Sequence, residues 1–195
     1  KRVLVVGVEL LTRIIDWKDR NTCVLFGDAA GAMVLGPSKD DARGIISTHL
    51  HTDGAQTGIL CIPGGGSKTP VSHEMVDQRL QFVSMNGRDV YKFAVRALSD
   101  AIGEAFAANN LTADHITHVV AHQANVRIID AVLDRVKLPK EKAFLNIDKY
   151  GNTSSASLPM TLDEANRSGR LAPNDTILMM AIGAGMSWGS AIVRW

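Results

Sequence analysis

"THVVAHQANVRIID" runs from Thr117 to Asp130 and decides how the chain is read. Val119 and Val120 form the apolar core of a strand buried on both faces, the pattern of an interior parallel strand. Ile128, Ile129, Val132, Leu133 and Val136 then share one face at helical spacing. His122, Gln123 and Asn125 sit in the joint between them. Strand, polar joint and helix in succession are the unit of an α/β fold. Taken alone, His122 caps or packs a strand end. Its chemistry depends on what the other joints bring beside it.

Outward from that stretch, strand-like and helical runs alternate. Val3–Val8 reads as a buried strand. Thr22–Phe26 and Ala32–Leu35 read as two short strands joined by a reversal at "GDAAG", which makes Cys23 a buried mid-strand thiol. "PSKDDARG", Pro37 to Gly44, is a polar connector and sets a boundary between residues 1–40 and 41–195. "GIISTHLHTDG" alternates as a half-exposed strand does. Residues 53 to 78 form a long irregular excursion, a length that points to function or an interface. A helix follows through "MNGRDVYKFAVRALSDAIGEAFAANNL". "KAFLNIDKYGN" is a strand running into a turn. "SSASLPMTLDEANRSGR" is a helix, irregular near Pro159 and ending at Gly169. "DTILMMAIGAGMSWGSAIVRW" is a strand, a glycine reversal and a returning strand. It is similar to residues 22–36, which suggests an internal duplication.

Bulk properties narrow the function classes. The chain has 195 residues, 46% of them hydrophobic, and a net charge of +1. Such a composition gives no electrostatic reason for a nucleic-acid or membrane partner. Apolar runs fall short of the roughly 20 residues of a spanning helix. Two cysteines, Cys23 and Cys61, make no disulfide framework, so a reducing, cytoplasmic setting is expected. CxxC and HExxH are absent, and no metal is expected. The first residue lies inside a strand-like run, which reads as a piece of a longer polypeptide.

Three joints share one form: "VVAHQAN", "DKYGNTSS" and "MAIGAGMSWG". Each closes a buried strand with polar or glycine residues, and α/β sheets bind ligands beyond the carboxyl ends of their strands. A neutral His122 offers a donor, Asn152 an amide that never titrates, and the glycine turn free backbone N–H groups. Neutral donors suit a developing oxyanion or enolate. A Ser-His-Asp hydrolase fits poorly, because GxSxG is missing and no acidic residue is placed to orient His122. Asn152 also fits a helix N-cap, and "IGAGMSWGS" a simple β-turn. His49, His51, His73, His115 and His118 read as surface or strand-alternation histidines.

"AHQANVRII", "YGNTSSAS" and "GAGMSWGSAIVRW", in that order and spacing, resemble β-ketoacyl-acyl-carrier-protein synthase III, a condensing enzyme of the thiolase superfamily. "DRNTCVLFGDAAGAMVL" and "GIISTHLHTDG" extend the resemblance over essentially the whole chain. It implies the thiolase-like layered αβαβα fold, with residues 1–40 ending its N-terminal half and 41–195 forming its C-terminal half. It implies decarboxylative condensation of an acyl group from acyl-coenzyme A with malonyl-acyl carrier protein. Coenzyme A enters as a thioester substrate, and no cofactor is implied. By resemblance, His122 and Asn152 hold the malonyl thioester oxygen, and the Ala184 N–H contributes an oxyanion hole where the family usually shows glycine. Arg20, Gly87 and Asn125 would contact coenzyme A, and Leu25 and Ile182 the acyl pocket. Gln123, Ala124, Asn125, Val126, Arg127, Lys92 and Arg135 would meet the acyl carrier protein. The family's nucleophilic cysteine matches neither Cys23 nor Cys61 and is expected in an N-terminal part outside this chain. A two-fold homodimer is also implied. A polyketide or quinolone starter synthase of the same fold, or an inert partner subunit, are the rival expectations.

Overall fold

The structure is a computed structural model and describes every residue except Lys39 and Asp41. β1 (Val3–Leu10) and β2 (Asp28–Leu35) form an antiparallel two-stranded sheet. β3 (Gly44–Thr52) follows. The excursion after it is less irregular than its composition suggests. It holds a 3₁₀ turn at Gly54–Ile59, β4 (Leu60–Cys61) and α1 (His73–Asp77); β5 (Ser84–Met85) follows it and pairs with β4. Then come α2 (Gly87–Ala108), β6 (His118–Ala121) and α3 (Val126–Arg135). β7 (Ala143–Phe144), α4 (Ile147–Tyr150), α5 (Ser157–Arg167), β8 (Thr176–Gly183) and β9 (Ser187–Arg194) complete the chain.

Five strands form one mixed sheet in the order β3-β9-β8-β6-β7. β6 is parallel to both neighbours, as its unbroken apolar core requires. Its alternation sorts the two cores. Val119 and Ala121 face α2 and α3, with Leu178, Met180 and Ile192. Val120 faces the other way, toward Ala165 of α5, with Ile177 and Val193. α2 presents Ala94, Ala97, Ala101 and Ala105 on its buried face, so the helix can lie close to the sheet, with Phe93, Leu98 and Ile102 filling the spaces between. On its far side α5 packs against β2, and the Ser154–Ala156 turn packs against β1. The layers thus run helix pair, five-stranded sheet, helix, two-stranded sheet, an order that matches the thiolase-like architecture.

Five expectations are corrected. Thr22–Phe26 is not a strand: it is a turn region in which Cys23 and Leu25 donate their N–H groups back to Asp19 and Thr22. "GDAAG" is not a reversal either, because β2 begins at Asp28 and runs straight through it. The strand paired with β2 is β1, so the hairpin likeness of residues 22–36 to the chain's end fails. Cys23 is therefore half-buried in a turn, not mid-strand. β1 is a strand as expected but not a buried one: Val3, Leu4, Val5, Val6 and Val8 are exposed, and only Gly7 is covered. Alternation cannot report this, because an apolar run looks the same whether its faces are covered or open. Of the Pro37–Gly44 connector, Lys39 and Asp41 lie outside the described residues, and the boundary at 40/41 falls there. Among the described residues no helix is long and apolar enough to cross a membrane.

Candidate active site

The three joints converge. His122, Asn152 and Ala184 line one cavity of about 880 Å³. His122 follows β6 directly, and its N–H donates to Met180 O of β8 at 2.8 Å. Ala184 occupies the tip of the β8–β9 hairpin, between Gly183 and Gly185. Asn152 arrives from the turn after α4. Its backbone is pinned to the 25–27 segment, with its N–H on Leu25 O at 2.8 Å and its carbonyl accepting Gly27 N–H at 2.9 Å. That approach needs glycine twice. A Cβ on Gly27 would stand 2.2 Å from Tyr150 O, and Gly151 turns at φ +70° where a side chain would meet Leu25 O.

Each polar group has a defined role. The Asn152 amide oxygen accepts Ser154 N–H at 2.9 Å, which orients the amide and leaves its NH₂ for a ligand. His122 Nδ1 lies 2.6 Å from the hydroxyl of Ser157, at the start of α5. The Ser157 oxygen also accepts Gln123 N–H at 3.2 Å. Burial pushes the His122 pKa down to about 4, with the field of Glu9 a weaker opposing influence. The ring is therefore neutral at pH 7 while one edge stays open to the cavity. For Glu9, desolvation raises the pKa. Hydrogen bonds from the Ser155 and Ser154 side chains and the Ser155 N–H outweigh it, and the carboxyl sits below its ordinary value. Glu9 holds Ser155 Oγ at 2.7 Å and so ties the end of β1 to the turn that follows Asn152.

The remaining candidates fall into groups. Leu25 and Ile182 line the cavity with Gly87, Ala124 and Asn125. Asn125 also caps α3 by accepting Arg127 N–H at 2.8 Å. Leu25, Gly87, Asn125 and Arg127 border an outer groove of about 970 Å³ as well. Arg20 is exposed on a turn; its neighbours Asp19 and Asn21 border that groove, but Arg20 itself lines neither space. Lys92 and Val126 are exposed beside the groove residues Tyr91 and Arg127, while Arg135 lies two turns along α3, 4.0 Å from Asp100. Gln123 is corrected: it is fully buried and cannot meet a protein partner. Its amide bonds inward to Ala121 O, Phe144 O and Asn146 N. Sequence reasoning missed Ser157 and Glu9, as well as Arg88 and Tyr91, which border the outer groove. Arg88 and Tyr91 stood one and four residues beyond Gly87, a usable clue. Ser157 lay inside an ordinary helical pattern and carried none.

His49 and His51 both face Glu104, at 3.4 and 2.7 Å, as residues of the alternating edge strand β3. Cys61 lines the cavity and Cys23 does not.

A layered thiolase-like fold that brings a neutral histidine after β6 and an asparagine after α4 to one cavity defines a condensing-enzyme scaffold. The comparisons agree. The family model for the 3-oxoacyl-[acyl-carrier-protein] synthase III C-terminal part matches residues 106–195, and the companion synthase III model matches residues 1–54. The chain belongs to the 3-oxoacyl-[acyl-carrier-protein] synthase III family. It is 47% identical, over its full length, to the β-ketoacyl-[acyl-carrier-protein] synthase III of Caldanaerobacter subterraneus subsp. tengcongensis, and covers 59% of that protein. The 3-oxoacyl-[acyl-carrier-protein] synthase III structure from Aquifex aeolicus superposes with a TM-score of 0.90 at 39% identity, covering all of this chain and 58% of that one. A priming β-ketosynthase of the R1128 polyketide pathway superposes with a TM-score of 0.86 at 35% identity, covering 99% of this chain and 57% of its own. The chain thus spans somewhat over half the length of the relatives it matches.

Proposed function

We propose that the complete protein containing this chain joins an acyl group from acyl-coenzyme A to malonyl-acyl carrier protein and so initiates fatty-acid synthesis. A cysteine thiolate, expected in an N-terminal part outside this chain, would attack the acyl thioester and release coenzyme A. Malonyl-acyl carrier protein then loses CO₂, and the electron pair of the broken C–C bond enters an enolate on the thioester oxygen. The enolate carbon attacks the acyl-enzyme carbonyl, forms the new C–C bond and expels the cysteine thiolate.

This chain would supply the groups that receive the enolate. His122 and Asn152 line the same cavity and would present neutral donors there, and neither would lose a proton in doing so. A preorganised donor of this kind is worth about 3–4 kcal/mol of barrier. The observation that carries the reading is that His122, Asn152 and Ala184 line one cavity, where burial keeps the His122 ring neutral at pH 7. Ala184 N–H would complete the oxyanion hole for acyl transfer. Arg20, Gly87 and Asn125 would hold coenzyme A, and Arg127 and Lys92 would steer the acidic carrier protein. As in the family, the enzyme would work as a homodimer in the cytoplasm.

The test is His122→Ala in the complete protein. Malonyl decarboxylation should be lost while acetylation by acetyl-coenzyme A, read by intact mass, persists. Loss of acetylation with decarboxylation intact would refute the assignment. The R1128 neighbour supports a second reading, a polyketide-type starter synthase, which a panel of acyl-coenzyme A donors separates from the first. An inert partner subunit is the third reading, and absence of any acyl adduct across the panel would favour it.

A further inference from the structure

We propose that Ser157 is a positioning residue that holds His122 as its Nε2–H tautomer. This rests on the donor role given to His122 above and names the group that makes it possible. A neutral imidazole has one N–H and one bare nitrogen, and the partner of one nitrogen decides the state of the other. Among the described residues, the hydrogen bond of the His122 ring is the one between Nδ1 and Ser157 Oγ, at 2.6 Å. Nε2 is the nitrogen left for a ligand.

A serine hydroxyl has one proton and here two acceptors to choose from. Ser154 O lies at 2.8 Å and His122 Nδ1 at 2.6 Å. Given to Ser154 O, the proton leaves Oγ as an acceptor, Nδ1 must carry the ring hydrogen, and Nε2 faces the cavity bare. Given to Nδ1, it leaves Nε2–H as a donor. Two features favour the second arrangement. Ser154 O already accepts the backbone N–H of Ser157, so it does not depend on the hydroxyl. Gln123 N–H fills an acceptor site on Oγ and points the hydroxyl away from itself. In that arrangement each atom keeps a partner: Nδ1 accepts the hydroxyl, Oγ accepts Gln123 N–H, and Ser154 O keeps the Ser157 N–H.

Ser157 is itself buried, at 2% exposure, and its carbonyl accepts the Thr161 hydroxyl at 2.7 Å. The hydroxyl is thus fixed by both the strand-end backbone and the helix, and it reaches the cavity through His122 and not directly.

The experiment uses the complete protein labelled with ¹⁵N-histidine. Long-range ¹H–¹⁵N spectra at pH 7 should show His122 with Nε2 protonated and Nδ1 bare. Ser157→Ala should mix the tautomers and lower malonyl decarboxylation by about tenfold or more, while acetylation by acetyl-coenzyme A stays unchanged. Ser157→Thr, which keeps the hydroxyl, should restore the tautomer and most of the decarboxylation. A wild-type ring protonated on Nδ1 overturns the proposal, and that measurement needs no substitution. So does a Ser157→Ala protein with the wild-type spectrum and wild-type decarboxylation. A wild-type protein that neither acetylates nor decarboxylates would refute the functional reading instead, and the ring spectrum would still decide the tautomer.

Discussion

The side-chain oxygen of Gln123 accepts the backbone N–H of Asn146 at 3.2 Å, across the carboxyl ends of two parallel strands. The same amide donates to Ala121 O at 3.0 Å and Phe144 O at 3.1 Å. Asn146 passes the connection on: its amide donates to Glu164, and its oxygen accepts Thr161 Oγ1. Glu164 in turn accepts the Tyr150 hydroxyl, two residues before Asn152. One buried amide therefore couples the His122 joint to the Asn152 joint. Gln123→Leu keeps the bulk and strands the Asn146 N–H and Phe144 O. The expected loss is about 2–4 kcal/mol of unfolding free energy, read from urea midpoints. An unchanged midpoint would show that water or a neighbour replaces the amide.

The His122 pKa sets a pH window. The native ring titrates at about 4, below the 6.5 of an exposed histidine. Between these values the unfolded chain binds a proton that the native chain refuses, so stability rises with pH across the window. The contribution is complete above pH 6.5 and is lost as pH falls toward 4. The expected loss is roughly 3 kcal/mol. His122→Asn should flatten the dependence between pH 4.5 and 6.5 relative to wild type. Glu164, whose lowered pKa owes nothing to His122, loses its contribution at lower pH in both proteins and cancels in the comparison.

The α/β class, the order of the later elements and the convergence of three joints were legible because each rests on local signals. β6, α3 and the β8–β9 hairpin show apolar periodicity and glycine punctuation within one short window. What failed depended on neighbours. Thr22–Phe26 has strand composition, yet among the described residues no strand lies beside it, and its one bridge runs from Phe26 to Asn152. Gln123 reads as a polar joint residue, and only the spacing of β6 and β7 shows that its amide points inward. The hydroxyl of Ser157 and the carboxylate of Glu9 reach the site from 35 residues downstream and from β1, distances at which a single sequence carries no pairing signal. His122 and Asn152 were found through motif resemblance; periodicity made one a strand end and the other a cap.

Gly27 tests how far placement of Asn152 matters. Gly27→Ala puts a methyl group 2.2 Å from Tyr150 O, a backbone atom that cannot swing aside. The 150–152 segment must retreat from the 25–27 segment, and the Asn152 amide moves with it. Displacement near 1 Å costs roughly 100-fold in a preorganised site. Decarboxylation by Gly27→Ala should therefore fall about as far as in Asn152→Ala, although no catalytic group has been removed. Near-normal decarboxylation would mean that Asn152 tolerates the shift and is not a precise donor.

The basic residues should separate by position. Arg127 borders the outer groove, and Lys92 follows the groove residue Tyr91. Arg135 is about 12 Å further along α3 and is paired with Asp100. Charge at the rim of an encounter surface acts on association and is screened by salt. Arg127→Glu should raise the KM for malonyl-acyl carrier protein by about tenfold at low salt, with kcat nearly unchanged and the difference shrinking at 0.5 M salt. With malonyl-coenzyme A as surrogate, which lacks the carrier's acidic surface, the effect should be much smaller. Arg135→Glu should change either KM by less than about twofold. Equal effects from Arg127 and Arg135 would place the carrier along the whole helix, and equal effects on both substrates would make Arg127 a contact for the pantetheine arm.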